Sequence, residues 1–543
     1  MLLRRSLTFF QGITERVNQI LLRPIIDFFS RLWHRLSHRN QHWVNNVLIG
    51  VAIEIVIVYL GHHLHWPVIV NAQNASMDTI ARLNAGTCNW MTREGQPNFA
   101  STARKLLNCP SVTGNARVPL LLEVDTKTWR NPSWGGGEPD RAPRKQLIEL
   151  IDRGFALGAT QVIVDIAIED RASLGLPSAQ SSVEDTEFAQ GLSELLRKPY
   201  FQADRQLILV RTERRALPED RSNFAPEIRV SRAIDPVVAE SNGRIGIAAP
   251  YFAIHADSVL RDWRLFRVVC ERSIDEPSRG QFRAIPSVQL VALAHHHQVR
   301  LPESAKNDLK STETIRNPNA CEPFPTNGNQ NEAAQKTQGN RLELSQTYWA
   351  QVKNAFAGKV ELEDFPNSGE IGNRVAFRNH FDSMQRVRAG DFLGLSTELT
   401  QAYTSTFSGR IVLIGQTFEE AGDVYQTPLG SMPGVAVLLN SIDSMFTHQL
   451  MRQVPMWAEL FYVTLLIVFV GFIYSRFGTF KGTVGATIAI VIAAGAISWF
   501  LSARGVWLDV AAPLFGIQLH RWVSMWEDHI KLQRMVSNQS KDH

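Results

Sequence analysis

Three aspartates occupy positions in the sequence where side chains could do chemistry. Asp125 ends the apolar run RVPLLLEVD, Asp165 lies within TQVIVDIAIED, and Asp423 follows RIVLIG in a polar loop. If these runs are strands of a parallel sheet, their carboxyl ends meet at the edge where open α/β folds bind ligands. Arg144 and Thr427 are candidate companions of the carboxylates. The pattern predicts a site for a cation or a cationic ligand; alternatively, the carboxylates hold loops by accepting hydrogen bonds from backbone N–H groups.

Catalysis and cofactor binding are not indicated by the motifs. The chain has no GxSxG, HExxH or Walker loop, so we expect it not to be an enzyme and predict no catalytic residue and no cofactor. Two histidine clusters, HHLH at 62–65 and HHH at 295–297, do not predict a metal site, because adjacent positions of a helix point in different directions. A pH-sensing role for these histidines stays open.

The elements that would position the aspartates alternate between strands and helices. Amphipathic segments at 143–157 and around 188–196 separate the apolar runs, and a helix predicted over 435–445 follows RIVLIG. Such alternation is typical of a mainly parallel sheet with right-handed crossovers. We therefore predict an α/β domain over residues 66–455, with a polar insertion at 302–344 that is rich in Asn, Gln, Ser and Thr.

Four apolar segments are long enough to cross a membrane as helices, although the composition as a whole is ordinary, with 44% hydrophobic residues. The segments cover residues 44–64, 457–474, 483–501 and 506–523. The sequence therefore predicts four transmembrane α-helices, one before the α/β domain and three after it.

Basic residues predict the orientation of these spans. Seven arginines lie in the first forty residues, and Arg476 and Lys481 lie between the second and third spans. Because loops rich in Lys and Arg face the cytoplasm, we expect the amphipathic basic segment 1–43 and the tail 524–543 to be cytoplasmic. The domain at 66–455 would then lie in the periplasm or outside, on a multi-pass protein of the bacterial inner membrane. The basic segment would lie on the membrane or dock a partner.

Glu54 lies in the middle of the first predicted span, where a charge costs at least about 2–3 kcal/mol. We predict that it contacts a polar group of another membrane helix, in this chain or in a partner; the alternative is a protonated carboxyl satisfied by the local backbone. The net charge of +4 is too small to favour nucleic acid. The expected partners are the membrane and other proteins, including further copies of the chain.

All four cysteines, Cys88, Cys109, Cys270 and Cys321, fall in the predicted exported region. An even number in an oxidising compartment favours two disulfides. Their order along the chain favours Cys88–Cys109 with Cys270–Cys321, although three pairings are possible. No CxxC or zinc spacing is present, which argues against a metal role for these thiols.

Several of these segments together resemble one known family. EVDTKTW, APR and VIVDIAI match its opening pattern, and VLIG followed by GD, TP, a PGV helix start and three spans matches its closing pattern. On these residues the chain resembles the second CHASE-type family, extracytoplasmic sensory domains often joined to cyclases and histidine kinases. The turn WGGGEPDRAPR departs from the family's compact Trp-Pro motif.

The resemblance implies sensing, but the residues after Trp526 are far fewer than the ~50 that an output domain needs. We therefore expect a sensory receptor whose exported domain responds to a ligand or to the state of the envelope and signals through the membrane to a separate effector. The alternative function is a structural or assembly subunit of an envelope complex that kept the fold without ligand binding.

Overall fold

The computed structural model describes most of residues 67–507. The described segments are 67–92, 119–134, 143–166, 178–202, 204–211, 227–229, 233–255, 257–272, 280–302, 344–359, 372–377, 379–448, 452–454 and 456–477, with shorter stretches between 488 and 507 and a few single residues. The chain divides into two compact units. One comprises Met1–Met77, Gln453–Trp499 and Trp507–His543, and the other comprises Asp78–Arg452 and Phe500–Val506.

Strands and helices alternate along the described parts of the chain. The strands are β1 Leu120–Val124, β2 Gln161–Asp165, β3 Gln206–Val210, β4 Glu227–Arg229, β5 Ile245–Ala248, β6 Phe252–Ile254, β7 Leu260–Arg264, β8 Phe266–Arg272, β9 Gly280–Pro286, β10 Gly372–Arg374, β11 Arg386–Arg388, β12 Ile411–Gln416, β13 Val424–Thr427, β14 Gly430–Pro433, β15 Arg452–Gln453 and β16 Val506–Trp507. The helices are α1 Pro67–Thr92, α2 Thr126–Trp129, α3 Arg144–Ala156, α4 Ser178–Leu195, α5 Ile234–Glu240, α6 Val288–His296, α7 at 344–356, α8 Ala389–Leu393, α9 Thr397–Ala402, α10 Thr404–Phe407, α11 Gly434–His448 and α12 Met456–Phe477.

A six-stranded sheet in the order β11-β1-β12-β2-β3-β5 forms the centre of the second unit. Every neighbouring pair in it is parallel. The predicted α/β class with a mainly parallel sheet is therefore confirmed. The late strand β12 lies between β1 and β2, which are joined in sequence by α3, so the sheet is not assembled in chain order.

The two faces of the sheet pack on different helices because side chains alternate along each strand. On one face, Leu122 and Val162 pack with apolar residues of α3, α4 and α5. On the other face, Leu121, Ile163 and Leu413 pack with α6 and α11. The helices that follow β1 and β2 thus cover one face, and the helix that follows β12 covers the other. The point where the connecting helices change from one face of the sheet to the other is where open α/β sheets bind ligands, at the carboxyl ends of the strands.

Smaller sheets flank the central one. β8 pairs with β4 and β9, β7 pairs with β6 and β10, and β13 pairs with β14 in a hairpin. The hairpin, Val424–Pro433, links the loop that carries Asp423 to the first residue of α11. The helix predicted over 435–445 is present and extends over Gly434–His448. The polar insertion predicted at 302–344 lies almost entirely outside the described residues.

α12 is the long helix of the first unit. Trp457, Phe461, Leu465 and Phe472 project from it with more than half of their surface exposed. Across the part of the chain that the structure describes, we find no helix with both the length and the apolar character needed to cross a membrane. The four predicted spans therefore stay predictions. The segment 1–43 and the first span with Glu54 lie outside the described residues. So do nearly all of the fourth span, 506–523, and the tail 524–543 apart from Gln533.

Cys88 lies buried in α1 and is disulfide-bonded. Cys270 lies in β8, where its backbone pairs with Glu227 and Phe282. Cys109 and Cys321 lie outside the described residues, so the predicted pairing of the cysteines stays a prediction.

Candidate functional site

Two of the three predicted aspartates lie in the same region, at the carboxyl edge of the sheet. Asp165 ends β2 and lies in register with Gly415 of β12. Because Ile163 and Leu413 face α6 and α11, Asp165, two residues after Ile163, points to that same face. Asp423, in the loop that leads to β13, is close enough for its charge to act on Asp165. The pair therefore lies beside the start of α11. We call Asp165 and Asp423 the carboxylate pair.

Two glycines permit this close approach of strand, loop and helix. A Cβ added to Gly415 would stand 2.3 Å from Cγ2 of Val435, so only glycine lets the second residue of α11 rest on β12. A Cβ on Gly434 would stand 2.1 Å from Oδ2 of Asp423. The Gly434 N–H also donates to the Asp423 backbone carbonyl at 2.8 Å. The amino end of α11, which favours negative charge, therefore lies against Asp423.

Burial is the main influence on the protonation of both members of the carboxylate pair. Burial, reinforced by the charge of Asp423, raises the pKa of Asp165 to about 7. Burial also raises the pKa of Asp423, and a hydrogen bond from the Tyr425 hydroxyl acts in the opposite direction. Among the described residues, none donates a hydrogen bond to the Asp165 carboxylate. At neutral pH the pair can therefore hold a proton that an ordinary aspartate would have lost.

Asp125 has a different environment, although it was predicted for the same site. Its carboxylate caps α2 by accepting from the backbone N–H of Thr128 at 2.9 Å and from the Thr128 hydroxyl at 2.7 Å. Nε of Arg388 lies 3.2 Å from its other oxygen. Thr128 in turn accepts from the N–H of Gly390 at 3.1 Å. Asp125 thus joins α2 to the segment around β11 and α8.

We expect Asp125→Ala to lower the free energy of unfolding by about 1–2 kcal/mol, because the helix cap and the ion pair are lost together. Thermal unfolding of the full chain measures this change. The matched control is Glu240→Ala, which removes an exposed carboxylate at the end of α5. Unchanged stability in both variants would show that the Asp125 contacts do not support the fold.

Arg144 and Thr427 are also held by contacts within the fold. Arg144 begins α3, and its Nε lies 3.1 Å from Asp185 of α4, with both side chains almost fully buried. The guanidinium also lies 5.8 Å from the ring centroid of Phe188. The Thr427 hydroxyl donates to the carbonyl of Gly430 at 2.7 Å and so closes the turn of the β13–β14 hairpin. Arg144 therefore joins two helices, and Thr427 shapes the hairpin beside the carboxylate pair.

Glu123, Tyr425 and Arg82 contribute to this region and were not predicted. Glu123 lies in register with Gly415 on the opposite side from Asp165. It accepts from the Thr417 hydroxyl at 2.7 Å and lies 3.5 Å from Arg386. A charged residue inside the apolar run LLLEV was the available signal for Glu123. No local pattern marks Arg82, whose Nε donates to the carbonyl of Pro428 at 2.7 Å, in the turn of the hairpin.

A second ionic cluster, centred on Arg261, also joins α1 to the sheets and was missed in the sequence. Arg261 of β7 donates to Asp78 of α1 at 2.7 and 2.9 Å. It also donates to Asp257 at 2.6 and 2.8 Å. These hydrogen bonds lower the pKa of Asp257 to about 2. The isolated bridge between Val259 and Gln426 connects this segment to the hairpin.

The sequence pattern of the CHASE2 domain matches residues 56–473, more than half of the chain. The chain belongs to the CHASE2 domain family. This match confirms the predicted family. No curated protein and no solved structure matches the chain.

CHASE2 is an extracytoplasmic sensory domain, which indicates a membrane protein with an outside domain. Within this CHASE2 domain, no group of three or more His, Cys, Asp or Glu among the described residues could hold a metal ion. The described carboxyl edge of the CHASE2 domain instead offers two carboxylates with raised pKa values beside a hairpin that bonds to α1.

Proposed function

We propose that the chain is a membrane sensory receptor whose exported CHASE2 domain responds to a ligand or to the envelope state and signals through the membrane to a separate effector. The hydrogen bond from Arg82 to the carbonyl of Pro428 carries this proposal. It joins α1, which begins three residues after the first predicted span, to the hairpin that follows the carboxylate pair. A shift of the hairpin would therefore act directly on α1.

A second set of contacts also connects the hairpin to α1. Arg261 holds Asp78 of α1, and the segment before Arg261 bridges to Gln426 of the hairpin. Asp78 and Arg82 are four residues apart, so they lie on the same side of α1. Movement of the hairpin would reach two points on one face of that helix. A helix transmits such a displacement along its length because the hydrogen bonds between its own backbone groups hold successive turns together.

The remaining parts of the proposal rest on the family and on the sequence. The family supports an outside domain, and the positions of basic residues favour four spans with both ends in the cytoplasm. The exposed apolar side chains of α12 also suit contact with lipid or with a neighbouring helix. We propose that the chain is not itself an enzyme and that its effector, or another copy of the chain, binds through Glu54 and the membrane helices.

A structural or assembly subunit is the second candidate function. The observation that favours it is that Asp125, Arg144 and Thr427 all contact other residues of the fold. A domain that had kept the fold without a ligand would look the same at these three positions. The carboxylate pair differs from them, because the fold leaves two acidic groups together without a described cation between them.

Hydrogen exchange of the full chain in lipid nanodiscs tests the receptor proposal. A small-molecule extract of the envelope should slow or speed exchange of residues 424–433 and 78–92 by at least about twofold, because local opening depends on the contacts that stabilise each segment. In Arg82→Gln the change in 424–433 should persist, and the change in 78–92 should be lost. This pattern would separate binding at the domain from its transmission to α1.

Leu83→Gln is the matched control, because it introduces the same side chain at the next, exposed position of α1. It should keep both exchange responses. If no extract or envelope condition alters exchange in the wild type, and the chain purifies in a complex of fixed composition, the assembly function replaces the receptor function.

A further inference from the structure

A groove of about 420 Å³ lies between α4 and α5, and we call it the α4–α5 groove. Ala189 of α4 and Ala233 at the start of α5 line it, and their short side chains leave space that larger residues would fill. Val237 completes an apolar floor, in which Ala189 and Val237 are buried. The volume falls within the range of about 300–1,000 Å³ that is usual for small-molecule sites.

Two opposite charges border the groove where α4 ends. Glu194 lies in the last turn of α4, and Arg197 follows the helix and donates its backbone N–H to the Glu194 carbonyl at 3.0 Å. Both side chains are exposed and line the groove. Among the described residues, none forms a hydrogen bond or an ion pair with either side chain. The groove therefore presents an anion and a cation one turn apart, both available to a ligand.

The position of Glu194 favours a cationic partner. The carboxyl end of a helix carries partial negative charge, so a carboxylate in the last turn is destabilised unless a cation lies near it. The last turn of α4 contains no basic residue. An ammonium group that enters the groove would offset this unfavourable charge, whereas Arg197 lies at the same helix end, where a cation is favoured.

Neutral polar groups complete the lining of the groove. The Ser193 hydroxyl donates to the Ala189 carbonyl at 3.0 Å, so its oxygen can still accept a hydrogen bond from a ligand. The Gln190 amide, which is exposed on the same helix, can both donate and accept. The lining thus matches a small molecule that carries an ammonium group, a carboxylate and an apolar side chain.

We propose that the α4–α5 groove binds an apolar α-amino acid, with its ammonium group at Glu194, its carboxylate at Arg197 and its side chain on the apolar floor. A ligand with only a negative charge would be repelled by Glu194, and one with only a positive charge by Arg197, so the two residues together select a zwitterion. As a stimulus, the amino acid rests on the proposed sensory function; its binding depends on the groove alone.

Isothermal titration of the full chain in nanodiscs with L-alanine, L-valine and L-leucine tests the site. We expect at least one of them to bind with a dissociation constant below about 1 mM. The N-acetyl and the amide derivatives of that amino acid keep its side chain but each lack one charge. Each derivative should bind at least about tenfold more weakly, because one charge-assisted contact is lost.

Charge-neutralising variants assign the contacts to residues. Glu194→Gln and Arg197→Gln should each weaken binding at least about tenfold. Glu187→Gln and Lys198→Gln are the matched controls, because both remove an exposed charge from the same segment outside the groove. Both controls should bind like the wild type.

A space-filling variant tests the groove apart from its charges. Ala233→Leu retains Glu194 and Arg197 but occupies the space above the apolar floor, so it should also weaken binding at least about tenfold. Ala239→Leu adds the same volume at an exposed position of α5 outside the groove and should leave binding unchanged. Thermal unfolding of each variant shows whether it is folded.

Three outcomes would overturn the site. They are no binding of any of the three amino acids up to about 10 mM, a derivative that binds as tightly as its parent, and binding that survives in both Glu194→Gln and Arg197→Gln. Hydrogen exchange separates the site from the receptor proposal. A response of 424–433 to the envelope extract without amino-acid binding would overturn the site and leave the receptor function standing. Amino-acid binding that protects 186–197 and leaves 424–433 unchanged would support the site and contradict the amino acid as the stimulus.

Discussion

Arg261→Met is expected to lower the free energy of unfolding by about 2–4 kcal/mol, because it leaves the largely buried carboxylate of Asp78 without its main partner. Arg261 is almost fully buried and donates hydrogen bonds to both Asp78 and Asp257. Methionine retains much of the aliphatic volume, so the change reports mainly on the lost charge. Arg374 lies 3.6 Å from Asp78 and would offset part of the loss. Denaturant and thermal unfolding of the full chain measure the effect.

Lys127→Met provides the comparison for this first result. Lys127 also pairs with an aspartate at 3.2 Å, but 71% of its side chain is exposed. Solvent screens such a pair, so its removal should cost no more than about 0.5 kcal/mol. Equal effects of the two substitutions would show that the Arg261 cluster does not anchor α1. A larger effect at Arg261 would identify the cluster as the principal ionic link between α1 and β7.

Asp165→Asn is expected to stabilise the protein, by about 2–3 kcal/mol at about pH 8, because it removes a carboxylate that the fold keeps in an unfavourable environment. Burial and the charge of Asp423 raise its pKa from 3.8 to about 7. One pKa unit corresponds to about 1.4 kcal/mol, and partial contact of the side chain with water reduces the full effect. Asparagine preserves the size of the side chain while removing its charge.

The pH dependence of this second result follows from proton linkage. Between pH 3.8 and about 7, the folded protein binds a proton at Asp165 that the unfolded chain has released. The stabilisation by that proton is fully present at about pH 4 and is lost as the pH rises through about 7. Wild type and Asp165→Asn should therefore have similar stabilities at about pH 4 and diverge toward about pH 8. Parallel pH profiles of the two proteins would contradict the raised pKa.

Asp391→Asn separates a local from a general charge effect in this comparison. The Asp391 side chain is 55% exposed and pairs with Lys127 at the surface. Removal of its charge should leave the shape of the stability profile unchanged with pH. If Asp391→Asn and Asp165→Asn alter the profile equally, the change reflects the net charge of the protein and not the environment of the carboxylate pair.

Local patterns in the sequence determined the fold class and the family. Apolar runs such as QVIVD and IVLIG predict buried strands, and the amphipathic segment after Pro143 predicts a helix, because these signals depend on neighbouring residues. The motifs near Asp125 and around GDVYQTP also predicted the CHASE2 family correctly. Asp165 and Asp423 could be chosen from the sequence because both follow apolar strand patterns, whose carboxyl ends share one edge in a parallel sheet.

Only the tertiary structure decided which of these residues meet. The insertion of β12 between β1 and β2 brings Asp423 to Asp165, and it depends on strand order, which local patterns leave open. The packing of α3 on α4 places Asp185 beside Arg144, a contact that no local pattern predicts. Arg82 and Arg261 gained their roles from contacts with residues far away in the chain. Their partners are selected by long-range packing, whose energy no short segment contains.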